Sequence, residues 1–370
     1  MKNITKIVLI AVAVFAIAVI FSKSGDKQAD STIKVGVMMP LSGEVAVIGE
    51  GLQKAIVLAQ AEYNQKNLAA GTGRKVELVV EDDAFDVKRG IAAYQKLVNT
   101  DKVDAVIMLS TPVLEAIYKD VAKDGKPLMT IGIQVSPATP DEVFQTTPSV
   151  EGNFEPFAAY IASDYDFKNL AIVYENNPGN IQFFEVFSKN YPKAFKGYKV
   201  NNARAEFKSL ASKLVSEKHD AIAFFMLPEN GALLSKEIAL LQKNHPQFIF
   251  DAQLHTGWAD YKRVMGDVGI LEGSLGLWFK KGEGTEFNQA FKKMYNAEAP
   301  VFADYSYDTF NVLMNAYDSD SAAWIKNIQA TKIQGSSGEF SFDANGVRNQ
   351  PIQVDVIRGG EIVKLRDDIN

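Results

Sequence analysis

Ser110-Thr111-Pro112 combines residue types whose order points to definite chemistry in this 370-residue chain. The two hydroxyls follow an apolar stretch, Val103 to Leu109, and precede a proline suited to the first helical position. Ser110 or Thr111 therefore caps a helix, and that helix start also suits a carboxylate or another acceptor. A cap acting alone and a cap that also meets a ligand are both open readings. Asp82, Asp83 and Asp86 place three carboxylates in one turn, the oxygen-rich grouping a hard cation requires. Asp86, however, precedes a helical pattern on Ile91, Tyr94 and Leu97/Val98 and reads as its N-cap. Leu227-Pro228-Glu229-Asn230 offers an acid and an amide at another helix start, where capping is the alternative role for Glu229. Asp251, with Gln253 and His255 close by, ends an apolar stretch and could cap the turn that follows.

Catalytic signatures are missing. His219, His245 and His255 are scattered without metal-ligand spacing, and Gly49-Glu50-Gly51 lacks the third glycine of a dinucleotide turn. Neither a Gly-x-Ser-x-Gly elbow nor a P-loop occurs. With no cysteine, the chain has no thiolate nucleophile, Cys-based zinc site, disulfide or N-terminal lipid-bearing cysteine. The expectation is a protein that is not an enzyme and takes no cofactor or metal.

These residues sit at the ends of a repeating architecture. Apolar strands are expected near 33–39, 76–80, 103–109 and 127–131, with helices between them. The first helix, Val47 to Asn67, shows a stripe of Ile48, Leu52, Ala55/Ile56, Ala59 and Tyr63. A second series has strands near 170–174, 198–203, 220–226 and 247–250. Strands alternating with helices at this spacing predict parallel βαβ units. Beyond Gly273–Phe279 the pattern is helical to about residue 330, then returns to strands and turns. Helices returning to the first lobe and strands completing the second account for this tail.

The N-terminus sets an address. Lys2 and Lys6 precede 15 uncharged apolar residues, Ile7 to Phe21, and the chain then turns abruptly polar. The run is shorter than the ~20 residues of a comfortable membrane span, which favours an export signal, although no good small-residue cleavage site follows. Residues 1–24 are thus a signal peptide or an N-terminal anchor, and 25–31 a linker. The remainder exceeds what one hydrophobic core usually organises, so two lobes are expected. The whole chain carries −6; without Lys2, Lys6 and Lys23, 36 basic side chains face 45 acidic ones, a balance of −9. Such a surface repels nucleic acid.

Several stretches together resemble the type I periplasmic solute-binding proteins of ABC importers, in the leucine/isoleucine/valine-binding branch. The resemblance rests on Leu41-Ser-Gly-Glu-Val-Ala-Val-Ile-Gly49, Glu81-Asp-Asp-Ala-Phe-Asp86, Val103–Thr111, Lys126–Thr130 and Phe340-Ser-Phe-Asp-Ala-Asn-Gly346. It implies an α/β fold of two doubly wound parallel-sheet lobes closing on a solute, joined by crossovers near 146–152, 276–281 and 336–341. Lobe 1 would comprise 32–148 plus 279–338, and lobe 2 149–278 plus 339–368. By position, Ser110, Thr111, Gly132 and Gln134 would hold the solute's charged end, while the opening loop from Leu41 to Gly49 would contribute Ser42 and backbone groups or serve as a plain strand-to-helix turn. In lobe 2, amino-acid-binding relatives usually carry Tyr-Gly where this chain reads Glu175-Asn176-Asn177-Pro178-Gly179, so an aromatic wall is replaced by polar residues including Asn177. Asp251 stands where an acidic partner for an ammonium would fall, Glu229 is a further acid, and Trp258, Trp278 and Phe279 offer apolar cover or core. The implied protein is an exported, monomeric receptor, located in the periplasm or at the outer face of the cytoplasmic membrane. It would pass an amino acid, amide or carboxylate to ABC permease subunits and touch the membrane only through them or its N-terminal segment. A membrane-tethered ligand sensor of the same fold is the alternative.

Overall fold

The structure, a computed structural model, describes residues 32–369 apart from 44, 134–139, 202–203, 243 and 281–283. The expected signal or anchor, the linker and Gln134 lie outside the described residues. The first series comprises β1 (Thr32–Met39), α1 (Ala46–Ala69), β2 (Lys75–Asp82), α2 (Val87–Lys96), β3 (Ala105–Met108), α3 (Thr111–Asp124), β4 (Leu128–Thr130) and β5 (Val143–Pro148). The second comprises α4 (Val150–Asp164), β6 (Leu170–Glu175), α5 (Pro178–Asn190), β7 (Phe195–Val200), α6 (Phe207–Ser216), β8 (Ala221–Phe225), α7 (Pro228–Leu241) and β9 (Gln247–Phe250). After it come α8 (Gln253–Thr256), α9 (Trp258–Met265), β10 (Leu275–Phe279), α10 (Thr285–Tyr295), α11 (Ala303–Asn315) and α12 (Ser321–Gln329). The hairpin β11 (Lys332–Gly335) and β12 (Gly338–Ser341) precedes β13 (Val347–Arg348), β14 (Ile352–Arg358) and β15 (Glu361–Ile369).

Two sheets result. The first has the order β13-β5-β4-β3-β1-β2 with every pairing parallel, and β1 lies between β2 and β3. The second has the order β15-β14-β10-β9-β8-β6-β7, parallel from β7 to β10. Its last two strands depart from the expected parallel lobe: β14 and β15 join antiparallel, which a tight Gly359-Gly360 turn with φ of 59° and 78° permits. Both orders reverse direction beside the first strand of the series, where loops at the carboxyl ends diverge and leave a crevice.

Local signals fix the helix starts. The side chains of Asp86, Ser149, Asn177 and Asp320 accept from backbone N–H groups in the first turns of α2, α4, α5 and α12. Pro178 and Pro228 open α5 and α7, where a missing N–H is harmless. Leu52, Ala55, Ile56 and Ala59 bury the α1 stripe as expected, in line with α11 packing against that helix. Ile48 departs from it, at 51% exposure, because the first turn of α1 overhangs the carboxyl edge of the sheet. The chain passes between the sheets after β5, after β10 and between Arg348 and Ile352. The third passage therefore lies downstream of the 336–341 segment, since β13 pairs with β5 before the chain leaves the first sheet.

The three passages are laced together. Buried Arg348 lies 3.8 Å above the Phe340 ring and donates to the carbonyls of Thr146, Ser337 and Glu339. Gln350 accepts from Tyr305 Oη at 2.8 Å and donates to the carbonyls of Lys280 and Ser337.

Candidate functional site

A cavity of about 440 Å³ lies where the carboxyl ends of both sheets face each other. Leu109, Thr111, Ile131 and Gly132 come to it from the loops after β3 and β4. Met226, Leu227, Asp251 and Gln253 come from the loops after β8 and β9, Asn180 and Phe183 from α5, and Asn153 and Phe154 from α4. Leu277, Phe279 and Phe302 complete a largely apolar lining, and among the described residues no Lys, Arg or His side chain reaches it.

The wall from the first sheet holds few free polar groups. Thr111 Oγ1 accepts from the Ile133 N–H at 3.1 Å, and Thr130 Oγ1 accepts from the Gly132 N–H at 3.0 Å. Gly132 is fixed by this approach, because a Cβ there would stand 2.1 Å from the Leu109 carbonyl and 2.9 Å from Thr111 Oγ1. Thr111 and Gly132 thus reach the cavity as expected. Ser110 occupies the N-cap position of α3, but its hydroxyl makes no capping hydrogen bond and is fully buried away from the cavity lining. It faces Asp83, whose carboxyl burial pushes up in pKa while the Ser110 hydroxyl and the Phe85 N–H pull it down.

Ser42 is held elsewhere. Its hydroxyl donates to Asp82 Oδ2 at 2.7 Å, and the same carboxylate takes the Leu41 and Ala84 N–H groups and Arg89. Burial raises the Asp82 pKa, but these donors, with Ser42 foremost, outweigh it and hold the group at about 2. The cation-like grouping of acids is therefore a braced turn: Asp82 is satisfied by protein donors and Asp86 caps α2. It holds Ala84 and Phe85 at φ of 48° and 57° and so turns the Phe85 ring over the cavity edge.

The second wall buries two acids. Asp251, 3% exposed, lines the cavity and accepts from the Gln253 N–H at 2.8 Å. Burial pushes its carboxyl up, Gln253 pulls it down and nearby Glu175 adds negative charge, leaving a pKa of about 7. Asp251 so combines the two roles read from sequence, turning the chain into α8 and facing the cavity. Glu175, fully buried at the end of β6, accepts from the side-chain amides of Asn230 at 2.8 Å, Asn177 at 3.3 Å and Asn180 at 3.5 Å. Asn177 therefore supports the wall from behind, and Asn180 is the member of the trio that lines the cavity. Glu229 points elsewhere, pairing with Arg263 at 3.2 Å on the outside of α7. Of the aromatic residues, Phe279 lines the cavity, whereas buried Trp278 stacks on His255 at 4.2 Å and Trp258 borders Tyr261. Asn153 and Asn180 are polar cavity residues that sequence reasoning missed, together with the burial of Glu175 behind Asn180; for the latter two, a carboxylate followed by two asparagines and a proline was the nearest signal.

The rim is apolar and open to water. Ile48 and Phe85 on the first side are 51% and 44% exposed, and Leu227 on the second is 51% exposed.

Two parallel-sheet lobes whose strand ends enclose one crevice define a periplasmic-binding-protein-like fold of type I. The chain belongs to the periplasmic binding protein family, whose model matches residues 32–361, a family of solute binders rather than enzymes. It is 27% identical over 235 residues to the Leu/Ile/Val-binding protein BraC3 of Rhizobium johnstonii, a match covering 58% of this chain and 60% of that protein. It is 26% identical over 359 residues to the leucine-, isoleucine-, valine-, threonine- and alanine-binding protein of Pseudomonas aeruginosa, covering 90% and 91% of the two chains. Among solved structures, a branched-chain amino acid transporter substrate-binding protein from Streptococcus pneumoniae in complex with isoleucine superposes with a TM-score of 0.75 at 19% identity, over 90% of this chain and all of that one (100%). A solute-binding protein of an ABC transporter from R. palustris in complex with benzoate gives 0.72 at 20% identity, over 91% and 96%.

Proposed function

We propose that this chain is an exported receptor that captures a small solute with an apolar body between its two lobes and delivers it to the permease subunits of an ABC importer. The observation that carries this reading is the cavity itself, apolar within, with Thr111 on one wall and Asp251 on the other. A wall contributed by each lobe means that the full set of contacts forms only when the lobes approach, so binding favours the closed arrangement. The moving bodies are residues 32–148 with 279–348 and residues 149–278 with 352–369. A permease reads the closed surface, and the receptor itself acts as a monomer.

The solute class that fits is an amino acid or amide with an apolar side chain. A thermal-shift screen against amino acids, small amides, carboxylates and sugars tests this directly, followed by titration of whichever class shifts the melt. One solute bound per chain without turnover supports the reading; sustained product formation without metal or cofactor contradicts it.

The Ile7–Phe21 run supports a cleaved signal with a mature N-terminus near Gly25. The weak cleavage site after that run favours a second reading, a tethered sensor of the same fold. Intact-mass measurement decides between them: Met1 or Lys2 retained in membrane fractions selects the tether.

A further inference from the structure

Asn153 lies in the first turn and a half of α4, directly after the first passage between the sheets. Its side chain lines the main cavity and also a smaller hollow of about 270 Å³ between the first and third passages. The residue is 4% exposed, and its Oδ1 is buried without a hydrogen-bond partner. Among the described residues, no other buried polar atom without a partner belongs to a side chain lining the main cavity.

A buried amide oxygen without a partner opposes folding, and an apolar side chain of similar size at this position would not carry that penalty. Ser149 already supplies the cap that α4 needs, through the Gly152 N–H at 2.8 Å, so Asn153 is not required for that purpose. A solute in the main cavity, which Asn153 lines, can supply the missing partner. Asp251 stands on the same wall, again as an acceptor; among the described residues no Lys, Arg or His lines the main cavity, and Arg348, which borders the smaller hollow, gives its N–H groups to Thr146, Ser337 and Glu339.

We propose that Asn153 is a specificity-determining residue: its amide oxygen accepts a hydrogen bond from an N–H or O–H of the solute, so the cavity takes ammonium- or amide-bearing solutes in preference to plain carboxylates. The inference rests on the solute-binding reading above and adds the chemistry of the end that meets lobe 2. A carboxylate placed there faces the Asn153 and Asp251 oxygens, and the Asn180 side-chain amide beside them already donates to Glu175. An ammonium or a primary amide brings two or more donors and satisfies Asn153 and Asp251 together.

The test uses the mature chain with Asn153→Leu and Asn153→Asp, titrated calorimetrically with L-isoleucine, benzamide and benzoate, and melted without solute. Isoleucine or benzamide binds the wild type, and benzoate binds more weakly than benzamide. Asn153→Leu weakens the bound probe by about tenfold or more, the usual cost of deleting one partner of a buried hydrogen bond, while its solute-free Tm stays level or rises. Asn153→Asp, which keeps an acceptor in the same place, retains binding. The inference is overturned if Asn153→Leu binds undiminished, if benzoate binds as tightly as benzamide, or if both variants melt lower with affinity unchanged. Silence of all three probes on the wild type overturns instead the reading of this cavity as a site for small apolar-bodied solutes.

Discussion

The wall from the first sheet meets the cavity with Thr111 and the Gly132–Ile133 backbone, groups already bonded to protein partners, whereas the wall from the second meets it with Asp251, Asn153 and Asn180, backed by buried Glu175. Self-satisfied groups hold a shape and gain little from a newcomer, while buried acids and an amide oxygen without a partner gain a great deal. The difference teaches that position and shape come from the first wall and chemical selection from the second.

The pH dependence of stability should show the largest separation. Asp251 has a pKa of about 7 in the folded chain, raised above the ~3.9 of an unfolded aspartate, so the folded state holds the proton that the unfolded state has lost. Stability contributed by this group is therefore present below pH ~4, falls by about 1.4 kcal/mol per pH unit up to about 7, and is level above it. Asp251→Asn removes this slope, and denaturant melts at a series of pH values read the difference. The same variant should weaken an ammonium-bearing probe such as L-isoleucine by about 100-fold, roughly 2.7 kcal/mol, when titrated above pH 7, where the carboxylate is charged. Unchanged affinity would remove Asp251 from the site and with it the contrast between the walls.

Glu175→Gln sharpens the comparison. It removes the negative neighbour of Asp251, so the pH at which stability levels off should move down, while the three asparagine amides lose a charged acceptor at a cost of about 1–3 kcal/mol. Thr111→Val gives a smaller effect, about 1 kcal/mol of stability from the Ile133 N–H left without its acceptor, with at most a tenfold change in affinity. Smallest of all is Ser110→Ala: calorimetry should find affinity unaltered, because that hydroxyl faces Asp83 rather than the cavity. A loss comparable to that of Thr111→Val would give the first wall a selective role.

Much of the frame was legible. Strands near 33–39, 76–80 and 247–250 appear within two residues of their expected ends, because continuous β-branched and aromatic runs between turn signals have no other stable placement in a parallel sheet. Asp86 was equally readable, since an N-cap is settled by neighbours three residues away. Ser110 was not: the N-cap position followed from sequence, but the direction of its hydroxyl depends on Asp83, which a separate strand brings beside it. Glu175 was hidden for the same reason. In sequence it opens a polar turn, and its burial is made tolerable by the Asn177 and Asn180 amides together with that of Asn230, 55 residues away. The third passage was misplaced because β13 is two residues long and leaves no periodic signal.

The exposed rim described above has a calorimetric meaning. Ile48, Phe85 and Leu227 hold apolar surface in water on opposite sides of one mouth. Bringing the lobes together withdraws that surface from water, and removing apolar surface from water lowers the heat capacity. The rim is the same whichever solute lies beneath it, so its share of the heat-capacity change is common to every solute that closes the lobes, and a solute that binds one wall without closure lacks that share.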